Sequence, residues 1–134
     1  MGADSGRPSR SGSGVLIAES DVALADLYRS TLQAAGWQVD VVSDSESVVE
    51  RVHRAPPAVL LLSSMRDADQ ISVAERVRSI PEADGLVIIV LFDSFDHLDR
   101  KVLARTQVQA WLSKTRTTRE QLSETIAKLV GQAP

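Results

Sequence analysis

The chain alternates short apolar runs with longer segments in which apolar residues recur every three or four positions. The short runs predict buried strands, and the segments of helical period predict helices that pack on them. This alternation is typical of a parallel sheet with helices on both faces, and it predicts an α/β domain of five strands and five helices. The predicted strands span residues 15–18, 37–42, 58–62, 86–91 and 110–113.

Local signals mark the first predicted helix. Asp21 is placed to cap its start, and Gly36 suits the turn that follows its end. Spacing then predicts which side of this helix faces the sheet. That apolar side consists of Leu24, Leu27, Tyr28 and Leu32.

A capping box, in which Ser or Thr is followed three residues later by Glu or Gln, is predicted at two further helix starts. Ser43 with Glu46 is expected to open the second helix. Thr117 with Glu120 is expected to open the last one. The fourth helix, around residues 98–105, has a weaker pattern.

Both ends of the chain differ in composition from the part between them. Residues 1–14 are rich in Gly and Ser and have almost no apolar content, so they cannot offset the entropy of ordering and are expected to form a disordered tail. Gly131 suits the position just past the last helix. We therefore expect one domain over residues 15–131, with residues 132–134 as a C-terminal tail or the start of a linker.

Composition narrows the functional classes. The chain has 134 residues, 43% of them hydrophobic, which is enough for one core. Its net charge is -3, and no stretch concentrates Lys and Arg on one face, so we expect no direct binding to nucleic acid. The absence of cysteine excludes disulfides and thiolate metal sites. No apolar run approaches the roughly 18 residues of a membrane span and no signal peptide is visible, so a cytoplasmic location without membrane contact is expected.

Polar residues follow three of the predicted strands. Glu19 and Ser20 follow the first strand, Ser63 and Ser64 the third, and Lys114 the fifth. The chain resembles the receiver domain of two-component response regulators. Such domains carry acids after the first strand, a phosphoacceptor residue after the third and a lysine after the fifth. The resemblance spans about residues 15–131. It implies a flavodoxin-like, doubly wound (βα)5 fold whose parallel strands lie in the order 2-1-3-4-5, with the functional crevice at their carboxyl ends.

The resemblance also assigns a role to each of these positions. In receivers, acidic residues hold magnesium, an aspartate accepts the phosphoryl group, a Ser or Thr senses it and a lysine pairs with it. Glu19 matches the first acid, whereas Ser20 matches the second and has lost the carboxylate. Ser63 matches the phosphoacceptor and cannot form an acyl phosphate. Phe92, 22 residues before Lys114, matches the sensing hydroxyl and has none.

The lysine position is retained, although its surroundings differ from the family pattern. Lys114 is followed by Thr115 where receivers usually have proline. Trp111 takes the position of the switch aromatic residue. Glu19 and Lys114 are expected either to form an ion pair or to be ordinary solvated residues.

These replacements predict a vestigial phosphorylation pocket formed by Glu19, Ser20, Ser63, Phe92 and Lys114. With one carboxylate left, magnesium binding is expected to be weak or absent, and we expect no cofactor and no enzymatic activity. No histidine is placed to activate Ser63 as a nucleophile. Phe92 and Trp111 are most simply core or half-buried packing residues; on a further hypothesis Phe92 also fills the space of the phosphoryl oxygens and closes the pocket. A separate alternative is that Asp67 or Asp69 folds back and replaces the missing acid.

The leading hypothesis is a pseudo-receiver that acts without phosphorylation as a protein-interaction or dimerisation module. A receiver with a non-standard phosphorylation or metal site is the second hypothesis, and a small-ligand module that uses the same crevice is the third. Receivers generally bind partners through their fourth helix, fifth strand and last helix. In this chain that face offers His97, Arg100, Lys101, Arg105, Gln109 and Arg119.

Overall fold

Five parallel strands form one sheet in the computed structural model, which describes residues 14–93, 101, 104 and 106–131. Their order is β2-β1-β3-β4-β5, which confirms the predicted flavodoxin-like arrangement. Crossovers of this kind require a helix after each strand, as the alternating pattern predicted. The strands are β1 (Gly14–Ala18), β2 (Gln38–Val42), β3 (Val59–Leu62), β4 (Val87–Phe92) and β5 (Ala110–Ser113).

The central strands are apolar without interruption because both of their faces are covered. Every residue of β3 and β4 is buried. Alternate side chains enter two separate cores: Leu62 packs in the core on the side of α2 and α3, and Leu61 in the core on the side of α1. The helices are α1 (Val22–Ala34), α2 (Ser45–Arg54), α3 (Gln70–Arg78), a 3₁₀ turn (Pro81–Ala83) and the C-terminal helix (Arg119–Leu129).

The caps confirm one prediction and correct two. The Asp21 side chain accepts a hydrogen bond from the Leu24 amide at 3.0 Å, as expected for the cap of α1. At α2 the cap is Asp44, one residue after the predicted Ser43. The C-terminal helix opens with a capping box of Thr118 and Gln121, not of Thr117 and Glu120. Residue spacing cannot distinguish these two capping boxes, because both pairs fit the pattern and differ only by a shift of one residue.

Two further details differ from the sequence-based expectation. Gly14 belongs to β1, so the sheet begins one residue before the predicted domain boundary. Leu27 is 41% exposed, since α1 turns a narrower stripe of Leu24, Tyr28 and Leu32 toward the sheet. Between Pro81 and the last strand, Lys101 and Ala104 are helical, in agreement with a helix near residues 98–105.

Some predictions fall outside the described residues. They concern the tail before Gly14, residues 132–134, the ends of the fourth helix and the side chains of His97, Arg100 and Arg105. Within the described part of the chain, no helix has both the length and the apolar character that crossing a membrane requires.

Candidate functional site at the carboxyl edge of the sheet

Glu19, Ser63 and Lys114 lie at the carboxyl ends of their strands, at one edge of the sheet. The Ser63 amide donates to the Ala18 carbonyl at 2.9 Å, and the Lys114 amide donates to the Phe92 carbonyl at 2.8 Å. Ladder contacts therefore continue one residue beyond the strands and fix the loops at this edge. As a result Glu19, Ser63 and Lys114 come together, as expected from the parallel order.

The Glu19 carboxylate is buried and accepts hydrogen bonds on both oxygens. Oε1 accepts from the Ser63 hydroxyl, from the Ser64 amide at 3.3 Å and from Lys114 Nζ at 3.4 Å. Oε2 accepts from the Asp21 amide at 2.9 Å. Burial penalises a carboxylate unless such donors compensate it, and here four donors from the chain itself do so.

Lys114 completes a mostly buried ion pair. Its side chain is 11% exposed and that of Glu19 is 2% exposed, with Nζ and Oε1 3.4 Å apart. Asp93 also lies 3.5 Å from the ammonium, but its side chain is 81% exposed. Because screening by water weakens exposed pairs, Glu19 is the main partner of Lys114. Glu19 and Lys114 were expected either to form an ion pair or to be solvated separately, and the geometry agrees with the ion pair.

The two serines after β3 lie in different environments. Ser63 has no exposed surface, and its hydroxyl donates to Glu19. Ser64 lines the open cleft, and its hydroxyl accepts from Lys114 Nζ at 2.6 Å. The sequence placed both serines after the third strand but assigned a role only to Ser63, although the two-residue period of a strand already implies that neighbouring side chains point to opposite faces.

Tyr28 is a second residue that the sequence did not associate with the site. Burial raises the pKa of Tyr28 above the ordinary 10.0, the Ser63 hydroxyl counteracts part of this increase, and the carboxylates of Glu19 and Asp93 add to it. In the sequence Tyr28 looked like a packing residue of α1.

An open cleft of about 630 Å³ lies in front of this network. Its charged residues have mixed signs, with carboxylates of Glu19, Asp21 and Asp93 beside the cations of Arg66 and Lys114. Among the described residues, no group of three or more His, Cys, Asp or Glu side chains is arranged to hold a metal ion. The cleft is lined by Glu19, Ser20, Asp21, Val22, Ala23, Leu24, Ser64, Arg66, Asp93 and Lys114.

Phe92 does not fill this cleft. It is buried in the core beside Leu62 and Val90, and it lines only a neighbouring cavity of about 640 Å³. This placement agrees with the simpler interpretation of Phe92 as a core packing residue and does not support the hypothesis that it closes the pocket. Access to the acceptor position is restricted by the inward placement of Ser63.

The two loop acids are bonded elsewhere. Asp67 accepts from the Ser45 hydroxyl at 2.6 Å and from the Ser45 amide at 3.2 Å, and these hydrogen bonds lower the pKa of Asp67. Asp69 caps α3 by accepting from the Ser72 amide at 2.8 Å, which lowers the pKa of Asp69. Both carboxylates line the neighbouring cavity rather than the cleft in front of Glu19.

The predicted interaction face is described in part. Trp111 on β5 is 39% exposed, and Lys101 and Arg119 are also exposed. Gln109 is exposed too, but its side-chain oxygen accepts from the Ile88 amide at 2.7 Å and from Arg78 at 2.9 Å. Gln109 therefore extends the sheet ladder beyond β5, in addition to lying on this face.

Comparison with known sequences gives a distant relationship. No protein-family model matches the chain. The transcriptional regulatory protein TrcR of Mycobacterium tuberculosis is 26% identical over 118 residues, which are 87% of this chain and 44% of that protein. The chain thus spans less than half the length of this curated relative.

Comparison with solved structures shows the fold. The receiver domain of a Pseudomonas aeruginosa sensor histidine kinase, solved with magnesium in its active-site cleft, superposes with a TM-score of 0.79 at 20% identity, covering 90% of this chain and 98% of that one. A CheY-like receiver domain of Methanospirillum hungatei gives a TM-score of 0.81 at 15% identity, covering 90% and 94%. The chain has the fold of receiver domains.

Proposed function

We propose that this chain is the receiver domain of a two-component signalling protein and that it acts without phosphorylation, as an interaction or dimerisation module. Its fold and its similarity to a transcriptional regulator support the first part. The arrangement around Glu19 supports the second. On this proposal the domain is not an enzyme, needs no cofactor and works in the cytoplasm through a protein partner rather than nucleic acid or membrane.

The observation that carries the proposal is the saturation of the Glu19 carboxylate by donors of the chain itself. A magnesium ion needs oxygen ligands, and a carboxylate that already accepts from Ser63, Asp21 and Lys114 has to lose these bonds to supply one. Ser20 contributes no charge. Metal binding at this edge therefore competes with an internal network that is complete without the metal.

The acceptor position supports the same proposal. A serine hydroxyl is a weak nucleophile without an adjacent base, and it forms an ester rather than a mixed anhydride. Ser63 is buried, and its hydroxyl donates to a carboxylate that is itself paired with Lys114. His53 contacts Glu82 at 3.5 Å, at the opposite end of α2 from the site.

The output of the domain then depends on its surface. Trp111 lies on β5, three residues before Lys114, and more than a third of its surface is exposed. Aromatic residues of this kind are enriched at protein interfaces, where a half-exposed indole gains much contact area on binding. We propose that the partner, or a second copy of the chain, covers Trp111 together with the exposed charges of Lys101 and Arg119, which the resemblance to receivers assigns to the same face.

Incubation with a small acyl-phosphate donor and magnesium tests this function. We expect the intact mass of the protein to stay unchanged over hours, while a phosphorylatable receiver treated in parallel gains a phosphoryl group. Stable incorporation into the folded protein would contradict the proposal.

A second candidate is a receiver with a non-standard acceptor, favoured by the position of Ser64 in the lining of the cleft, hydrogen-bonded to Lys114. The variants Ser63→Ala and Ser64→Ala separate the two acceptors in the same experiment. Incorporation that disappears only in Ser64→Ala identifies the second candidate, and incorporation that disappears only in Ser63→Ala identifies the family position.

A further inference from the structure

The loop between β3 and α3, residues 63–69, borders both cavities at the carboxyl edge of the sheet. It contributes Ser64 and Arg66 to the cleft in front of Glu19. Every residue from 64 to 69 also lines the neighbouring cavity. The arrangement of this loop therefore determines the shape of both spaces and the charge that faces them.

Contacts to other elements hold both ends of the loop. At its start, the Ser64 carbonyl accepts from the Ser20 amide at 2.8 Å, and the Ser64 hydroxyl accepts from Lys114 at 2.6 Å. At its end, the Gln70 side chain donates to the Leu91 carbonyl at 2.9 Å.

The middle of the loop has an inner and an outer part. Met65 and Ala68 are partly buried and pack against the apolar core on the side of α2 and α3. Arg66 and Asp67 are exposed. Apolar packing therefore holds the inner part, whereas the outer part depends on polar contacts.

Asp67 fastens this outer part to the first residue of α2. The Ser45 hydroxyl donates to Oδ2 of Asp67 at 2.6 Å, and the Ser45 amide donates to both carboxylate oxygens at 3.2 Å. Amides in the first turn of a helix have no acceptor within the helix, and the helix dipole favours a negative charge there. Asp44 already caps α2 on the Ser47 amide at 2.7 Å, so Asp67 is a second carboxylate at this helix start.

The surroundings of Asp67 favour its charged form. The hydrogen bond from Ser45 is the main cause that lowers the pKa of Asp67, and the charge of Arg76 on α3 contributes as well. Arg76 also pairs with Glu46 of α2, with Nη2 and Oε2 3.0 Å apart. The start of α2, the loop and α3 are thus joined by polar contacts that are in place at neutral pH.

We propose that Asp67 is a latch, which fastens the outer part of the loop to the start of α2 and thereby keeps Arg66 in the lining of the cleft. A cation fixed there opposes the entry of a metal ion, because like charges repel. The inference rests on the proposed function and deepens it, since it names a contact that keeps the vestigial site in one arrangement without a ligand.

The variant Asp67→Ala tests the inference by NMR relaxation of the backbone amides. We expect the order parameters at Arg66 and at position 67 to fall from about 0.85, the value of rigid backbone, to below about 0.6. Ser64 and Gln70 should keep their values, because their own contacts remain. Unchanged order parameters at Arg66 and at position 67 would overturn the proposal.

Asp69→Ala is the matched control. It removes a second acid of the same loop, whose carboxylate accepts from Ser72 in its own helix at 2.8 Å. We expect this variant to loosen the first turn of α3 and to leave Arg66 rigid. If both variants loosen Arg66 to the same extent, the contact with Ser45 is not a latch.

A second readout follows the contact from the side of α2. The Ser45 amide should exchange its hydrogen about tenfold faster in Asp67→Ala, the factor that corresponds to one hydrogen bond with a charged acceptor. Ser45→Ala retains the amide and should loosen the loop less than Asp67→Ala does. The double variant should loosen it no more than Asp67→Ala, because both changes act on one contact. Additive effects would overturn the proposal.

Neither readout uses a metal ion or a phosphoryl donor. Incorporation from an acyl phosphate in a protein whose loop loosens as expected would therefore refute the proposed function alone. A loop that stays rigid in Asp67→Ala, in a protein that incorporates nothing, would refute the latch alone.

Discussion

Replacing Lys114 by Met is expected to lower the free energy of unfolding by about 3 kcal/mol, at the lower end of the range for breaking a buried ion pair. The reason is that the Glu19 carboxylate, whose side chain is 2% exposed, loses its cation while it stays buried. Methionine retains most of the aliphatic length of lysine, so little packing is lost. The value is measured by urea denaturation at pH 7.

Two further variants separate the ion pair from the general effect of removing a lysine. Lys128→Met removes an exposed lysine of the C-terminal helix and should change stability by less than about 0.5 kcal/mol. The double variant Glu19→Gln/Lys114→Met should be more stable than Lys114→Met, because a neutral amide needs no cation. If Lys114→Met destabilises no more than Lys128→Met, Glu19 and Lys114 do not form the buried pair described above.

A thiol placed at position 63 is expected to react more than about tenfold more slowly than one at position 64, because reagent reaches a buried side chain only through local opening. The chain contains no cysteine, so Ser63→Cys and Ser64→Cys each carry a single thiol. Ser63 has no exposed surface, whereas Ser64 lines the cleft 2.6 Å from Lys114 Nζ. The neighbouring ammonium also favours the reactive thiolate at position 64.

The rates are measured with a chromogenic disulfide reagent under native conditions. Both variants should react at similar rates in denaturant, which serves as the control for intrinsic reactivity. Equal rates in the native state would contradict the opposite orientations of the two serines. Equal rates would also mean that the side chain at position 63 is accessible to reagent in the native state.

The fold could be predicted from the sequence because its signals are strong and local. Uninterrupted apolar runs such as those of β3 and β4 occur where both faces of a strand are covered, and the alternation with helical segments then requires parallel crossovers. The hydrophobic pattern alone did not predict the order of the strands, which was predicted from the resemblance to receivers. Helix starts were predicted to within one residue, because overlapping candidates such as Thr117 and Thr118 have equal spacing to their partners.

The site was predictable only in part, because its contacts depend on orientation. Glu19 and Lys114 could be placed together from the order of the strands, and they form an ion pair. Which serine faces the cleft depends on the pleat at the end of β3. The sequence did not determine the hydrogen-bond partner of Asp67. Only the fold shows that the Ser45 hydroxyl donates to its carboxylate.

The most direct test of the central claim, that the site neither binds magnesium nor senses a phosphoryl group, is an NMR titration of the backbone amides. Magnesium is added first and beryllofluoride, a mimic of the phosphoryl group, second. We predict no saturable shifts at Ser63, Ser64, Trp111 or Lys114, because the internal network already occupies Glu19 and Lys114. Saturable shifts that spread from Ser63 toward Trp111 would contradict the account and identify an active receiver.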